Sequence, residues 1–215
     1  MIHNSIEVIP AIIAKDFEEL ERKIKLVEPY VNWVQLDIMD GKLVSNETFN
    51  DPLQIHALNT KINIEVHLMT WEPEHTIDDW IKSGVKRIIF HYESTHKKAE
   101  VLDKIKAAGL EAGLALNKTS PWDFIEDYIG KLDVVLIFTG ERLGFGSKTI
   151  DERMFDKVKE LHKKYPNLPI QIDGGINLET AKKAVEAGAN RLAVGGAIFN
   201  SKDIEQTINK FINIK

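Results

Sequence analysis

The 215-residue sequence predicts an α/β protein, a single (β/α)8 TIM barrel spanning residues 1–215, on three observations. Eight short runs rich in Val, Ile and Leu recur about 25 residues apart, and helical patterns with apolar residues three and four apart lie between them. No linker, low-complexity tract or composition step divides the chain. Strands that alternate with helices must be parallel, because only a crossover element connects them. Eight such units close a barrel, whereas an open doubly wound sheet needs fewer.

The first run, Ile6–Ile13, leads into a helical pattern over Asp16–Val27, with Phe17, Leu20, Ile24 and Val27 on one face and Asp16 as N-cap. The runs Trp33–Ile38, Ile62–Leu68, Lys86–His91 and Glu111–Leu116 follow, each leading to a helix start, at Pro52, Pro73, Thr95 and Pro121. Asp133–Phe138, Pro169–Asp173 and Asn190–Val194 complete the eight, with helix starts at Asp151, Leu178 and Asp203. Gly84, Gly109 and Gly188 mark helix exits, where a left-handed cap favours glycine.

Composition narrows the function classes. With 28 basic and 33 acidic residues the formal net charge is −5, which leaves no electrostatic footprint for nucleic acid. No apolar run approaches the roughly 18 residues of a membrane span, and Met1-Ile2-His3-Asn4 does not read as a signal peptide. The absence of cysteine excludes a disulfide framework, a thiolate zinc site and a thiol nucleophile. The expectation is a soluble, cytoplasmic protein with no membrane and no nucleic-acid partner.

Strand parity then locates a site. If Val34, Leu36 and Ile38 face the helices, Gln35 and Asp37 point into the barrel, and the same parity pairs Glu65 with His67 and Gln171 with Asp173. Polar side chains at the C-terminal ends of three strands fall where barrel enzymes build their sites. Two carboxylates and an imidazole suit a divalent metal such as zinc, iron or manganese, and they also suit proton transfer. The glycine doublets Gly174-Gly175 and Gly195-Gly196 follow the seventh and eighth runs, where barrels hold phosphate on bare backbone N–H groups. Gly144-Phe145-Gly146 after the sixth run is expected to be a third, mobile element; the glycine spacing before Lys148 is not that of a Walker loop. Arg142 and Lys148 are phosphate candidates, and Trp71 is a candidate wall of the pocket. The ligand expected is a small phosphorylated molecule.

The chain resembles the ribulose-phosphate 3-epimerase family. The resemblance runs from Ile9-Pro10 to Ile198-Phe199 through Asp37-Ile38-Met39-Asp40-Gly41, Val66-His67-Leu68-Met69, His91 with Glu93, Ala115-Leu116-Asn117 with Pro121, Gly144-Phe145-Gly146 and Asp173-Gly174-Gly175-Ile176. It implies a ribulose-phosphate-binding barrel that moves a proton at the carbon beside a ketose carbonyl, with Asp37 and Asp173 alternating as base and acid. It implies one divalent metal on Asp37, His67 and Asp173 that polarises the carbonyl and stabilises the enediolate. Met39 and Met69 would form an apolar surface near the reacting carbons, with Ala11 and Asn117 also in the pocket. Gly144, Gly146, Gly174, Gly175, Gly195 and Gly196 would hold the phosphate of a small sugar phosphate. The resemblance further implies a homo-oligomer, a dimer or a hexamer.

Departures from the family pattern cluster at the same mouth. Gln35 stands where the family carries a fourth, histidine ligand, and a neutral amide oxygen is a weaker, harder donor that would favour manganese or magnesium over zinc. Ala11 replaces a substrate-binding serine, and Lys118 stands where proline is usual. Three alternatives therefore stay beside epimerisation: a phosphosugar-binding barrel without chemistry, a different sugar-phosphate epimerase or lyase, and Schiff-base chemistry on Lys118. Met39 replaces the lysine of the Asp-x-Lys-x-x-Asp pattern of related decarboxylases and hexulose-phosphate synthases, which argues against that branch.

Overall fold

A computed structural model describes residues 6–147 and 149–214; His3 and Lys148 lie outside the described residues. Eight parallel strands close into a barrel in sequence order. They are β1 (Glu7–Ile12), β2 (Trp33–Met39), β3 (Asn63–Met69), β4 (Arg87–His91), β5 (Glu111–Leu116), β6 (Val134–Phe138), β7 (Ile170–Asp173) and β8 (Arg191–Val194). Each falls within about two residues of its expected run.

The helical layer consists of α1 (Phe17–Val27), α2 (Pro52–His56), α3 (Ile77–Lys82), α4 (Lys98–Ala107), α5 (Met154–Lys164), α6 (Leu178–Glu186), α7 (Gly196–Phe199) and α8 (Ile204–Ile212). Asp16 caps α1 as expected, its carboxylate accepting from the Glu19 N–H at 2.8 Å. Gly84, Gly109 and Gly188 all take the left-handed backbone that their helix exits require. The segment after Pro121 differs from the expected α-helix: Trp122–Lys131 winds as a 3-10 helix. Trp122, Ile125 and Tyr128 lie three apart, so a three-residue turn stacks them on one face against the core.

Two apolar layers follow from strand alternation. Leu36, Ile38, Val66, Leu68, Ile88 and Phe90 face outward and pack with Leu20, Ile24, Trp80, Leu102 and Phe211 of the helices. Inside the barrel, Ile89, Ala115, Val134, Leu136 and Phe138 fill the β4–β6 side. Buried polar side chains stand on β2, β3, β4 and β7: Gln35, Asp37, Glu65, His67, Arg87, His91, Gln171 and Asp173. Strand register sets Gln35 beside Glu65 and Asp37 beside His67, while Asp173 lies beside Phe138 and Ala193. No helix among the described residues is long and apolar enough to cross a membrane.

Candidate active site

Asp37, His67 and Asp173 meet at the C-terminal mouth, all buried, with their ligand-type atoms within 4.8 Å of one another. The His67 Nδ1 lies 3.3 Å from Asp37 Oδ1 and 3.2 Å from Asp173 Oδ2, yet it makes no hydrogen bond. Burial raises the Asp37 pKa above the carboxylate range, and the Asp173 charge adds to that rise. Burial pulls the His67 imidazole down, but the two carboxylates overcome it and lift the ring to about 9. Two carboxylates at one buried point demand a cation, and a proton on His67 or a metal ion supplies it.

The imidazole is set from behind. Its Nε2 lies 2.9 Å from His91 Nε2, and His91 Nδ1 lies 3.2 Å from Glu93 Oε2. A carboxylate accepts only, so Glu93 places the His91 proton on Nδ1. The His91 Nε2 is then an acceptor for the His67 Nε2–H, which leaves the His67 Nδ1 to face the aspartates and to carry there either a proton or a metal ion. Burial lowers the His91 pKa, in keeping with a neutral ring. Glu93 is itself held by the Asn117 N–H at 3.0 Å and by the Ser120 hydroxyl.

Gln35 joins the aspartates through the same two carboxylate oxygens that face His67. Its Nε2 donates to Asp37 Oδ1 at 2.7 Å and to Asp173 Oδ2 at 2.8 Å. The end of β7 is fixed by Thr139, whose hydroxyl donates to the carbonyls of Asp173 and Gly174, and by the α6 capping box of Asn177 with Thr180. His91 and Glu93 appear in the sequence only as matches to the family pattern, and Thr139 is not marked at all, because it lies in a loop and shows its role only through its contacts.

A cavity of about 490 Å³ opens above this cluster. Asp37, Asp173, Ala11, Met39 and Met69 line its floor and side, as expected, and all six expected glycines border it: Gly144, Gly146, Gly174, Gly175, Gly195 and Gly196. Met39 and Met69 pack with Val44 and Leu143 into an apolar patch at the rim. The Gly144 segment is seated on the loop after β2 through the Asn46 amide, which donates to the Gly144 carbonyl at 2.8 Å. Lys23 of α1, which no motif in the sequence singles out, also lines the cavity.

Several expectations fall elsewhere. Asn117 stands off the cavity, because its N–H is engaged by Glu93 and its carbonyl by Lys157. Lys118 reaches the Glu141 carbonyl at 2.8 Å and is a loop tie rather than a nucleophile at the aspartates. Arg142 bonds Ser45 and stacks on Phe145, a ring of the cavity lining, without lining the cavity itself. Trp71 borders a neighbouring groove with Asp40 and Glu72 instead of the mouth.

Comparison with known proteins bears directly on this site. The Ribulose-phosphate 3 epimerase family matches residues 7–199. The chain belongs to this family. It is 34% identical over 213 residues to the ribulose-phosphate 3-epimerase of Schizosaccharomyces pombe, covering 96% of this chain and 92% of that protein. It is 35% identical over 213 residues to the ribulose-phosphate 3-epimerase of Bacillus subtilis, covering 95% and 97%. Membership places it among isomerases of the epimerase class. The barrel itself also resembles a 3-hexulose-6-phosphate synthase from Salmonella typhimurium, with a TM-score of 0.73 over 97% of this chain and 98% of that one, at 14% identity. That likeness shows the fold alone.

The divalent metal of the epimerase family fits the residues present. A buried, unpartnered His67 Nδ1 faces two carboxylate oxygens, and imidazole nitrogen with carboxylate oxygen is a donor set that zinc, iron and manganese accept.

Proposed function

We propose that this protein interconverts D-ribulose 5-phosphate and D-xylulose 5-phosphate, or a closely related ketose phosphate pair, by moving a proton at C3. The observation that carries the reading is the pair of buried aspartates opening into a cavity bordered by glycine loops. Asp37, His67 and Asp173 would hold the cation. When bound, a divalent metal supplies Lewis-acid polarisation of the substrate carbonyl.

One aspartate takes the C3 proton, and the C–H electron pair passes into an enediolate. The other aspartate delivers its proton to the opposite face of C3. The pair ends with its proton exchanged between partners, and the reverse reaction restores it. The glycine loops after β7 and β8 would take the phosphate on backbone N–H groups, with Lys23 as a cation on the same cavity wall. A cytoplasmic location, in line with the cysteine-free composition, and a homo-oligomeric assembly, which rests on family membership alone, complete the proposal.

The test is C3 deuterium exchange into ribulose 5-phosphate followed by NMR, paired with metal content of protein purified without chelator. Asp37→Asn and Asp173→Asn should each lower exchange by about 10²–10⁴-fold while leaving the thermal midpoint close to that of the parent. Exchange that is absent from the metal-loaded parent would leave a phosphosugar-binding barrel without this chemistry.

A further inference from the structure

Gln35 occupies the centre of a hydrogen-bonded series that crosses the barrel interior. At its outer end Arg87 is buried, stacks over the Trp33 ring at 3.9 Å and donates to Glu111 Oε2 at 2.7 Å. Arg87 also pairs with Glu65, itself wholly buried. The other Glu65 oxygen accepts from Gln171 Nε2 at 2.6 Å, and that same amide nitrogen donates to Gln35 Oε1 at 2.8 Å.

The chemistry of the donors fixes every amide in this series. A carboxylate paired with arginine accepts and never donates, so Gln171 must present its NH2 to Glu65. Its two N–H bonds are then used, one on Glu65 and one on Gln35, and its own Oε1 is left buried without a partner. Gln35 consequently turns its oxygen toward Gln171 and its NH2 toward the mouth. There it has two N–H bonds and two carboxylate oxygens to meet them, one on each aspartate. Turning the Gln35 oxygen toward the mouth would set NH2 against NH2 at Gln171. Turning Gln171 as well would set a carbonyl oxygen against the Glu65 carboxylate.

We propose that Gln35 is a hydrogen-bond bridge clamping Asp37 to Asp173 and not a metal donor, so that a divalent cation meets three protein ligands here: Asp37, His67 and Asp173. This rests on the metal-assisted reading of the same site. It revises the expectation that the Gln35 amide oxygen would be a fourth, weaker ligand. Gln171, Glu65 and Arg87 act as positioning residues, because they set which end of the amide faces the carboxylates. Any further ligand to the cation would come from substrate oxygens or water.

The experiment is a crystal structure of the parent protein with Mn2+ located by its anomalous signal, joined to visible absorption spectra and affinities of the Co2+ forms of the parent, Gln35→Leu, Gln35→Glu and Gln35→His. The expected structure keeps Gln35 Oε1 on Gln171 and Nε2 on the two aspartates. Gln35→Glu is expected not to restore any Co2+ affinity lost in Gln35→Leu, whereas an added imidazole in Gln35→His shifts the Co2+ bands and tightens binding by about tenfold or more. A bond from Gln35 Oε1 to the cation, or a loss of Co2+ affinity in Gln35→Leu that Gln35→Glu, an oxygen donor only, restores, overturns the proposal. If Gln35→Leu does not fold, the parent crystal structure decides alone. A parent protein that takes up no cation overturns the metal-assisted reading along with it, whereas a cation bound to Gln35 overturns only the bridge.

Discussion

Glu93 reaches the site only through another side chain, yet its charge decides how His67 is presented. Burial favours its neutral form, but His91, Ser120 and the Asn117 N–H overcome that and hold the carboxyl at about 2, below its ordinary 4.5. A carboxyl depressed in the folded state contributes stability above its unfolded value and loses it as pH falls through the folded one. Glu93→Gln should therefore cost on the order of 2–3 kcal/mol at pH 7, a difference that fades as pH falls from about 4.5 toward 2. Urea midpoints of both proteins across that range would show it, and a difference that ignores pH would assign Glu93 to packing alone. At this scale the sequence told a good deal. Parity on β2, β3 and β7 put Gln35, Asp37, His67 and Asp173 inside, because a strand has two faces and the apolar one was evident. The position of Lys23 was not legible, since a lysine one turn from a helix end looks the same whether it meets solvent or a cavity wall.

The elements after β7 and β8 share a glycine doublet but use it differently. Gly174 has φ +96°, and a Cβ there would meet the Gly140 backbone nitrogen at 2.6 Å. Gly196 has ordinary backbone, and its added Cβ would meet only the flexible Asn200 amide, at 3.3 Å. Gly174→Ala should thus lose at least about 1–2 kcal/mol from the left-handed backbone alone, and more from the contact with the β6 loop. Gly196→Ala should leave the thermal midpoint nearly unchanged. Calorimetry of the two variants separates these cases, and equal losses would contradict the distinction. Both doublets read identically in sequence, because φ and close approach are properties of the folded loop. The Trp122–Lys131 segment makes the same point: apolar residues three apart fit an α-helix or a 3-10 helix, and packing on the barrel selected the latter.

Across the whole molecule, the buried polar side chains of the interior form one connected body from the N-terminal face to the mouth. Arg87 anchors it, with neighbours Glu65, Glu111 and Glu7 and the nearby Arg191. Burial raises the Glu65 pKa, and Arg87 opposes that rise. Arg87→Met would leave Glu65 buried without its cation, a loss of about 3–5 kcal/mol in urea unfolding. Glu65→Leu in that background should recover part of it, and a loss that Glu65→Leu worsens would mean that the pair is not the source. The sequence by itself determined the number and order of strands, the face of each polar residue and the family motifs along the chain, because those follow from periodicity and local chemistry. Only the tertiary structure decided that Gln35 faces the aspartates with its nitrogen, that Asn117 and Trp71 stand off the mouth, and that the buried polar side chains of four strands join into one series. Those outcomes depend on which strands meet across the barrel. An amide can turn either end, and what fixes it is a partner more than 100 residues away.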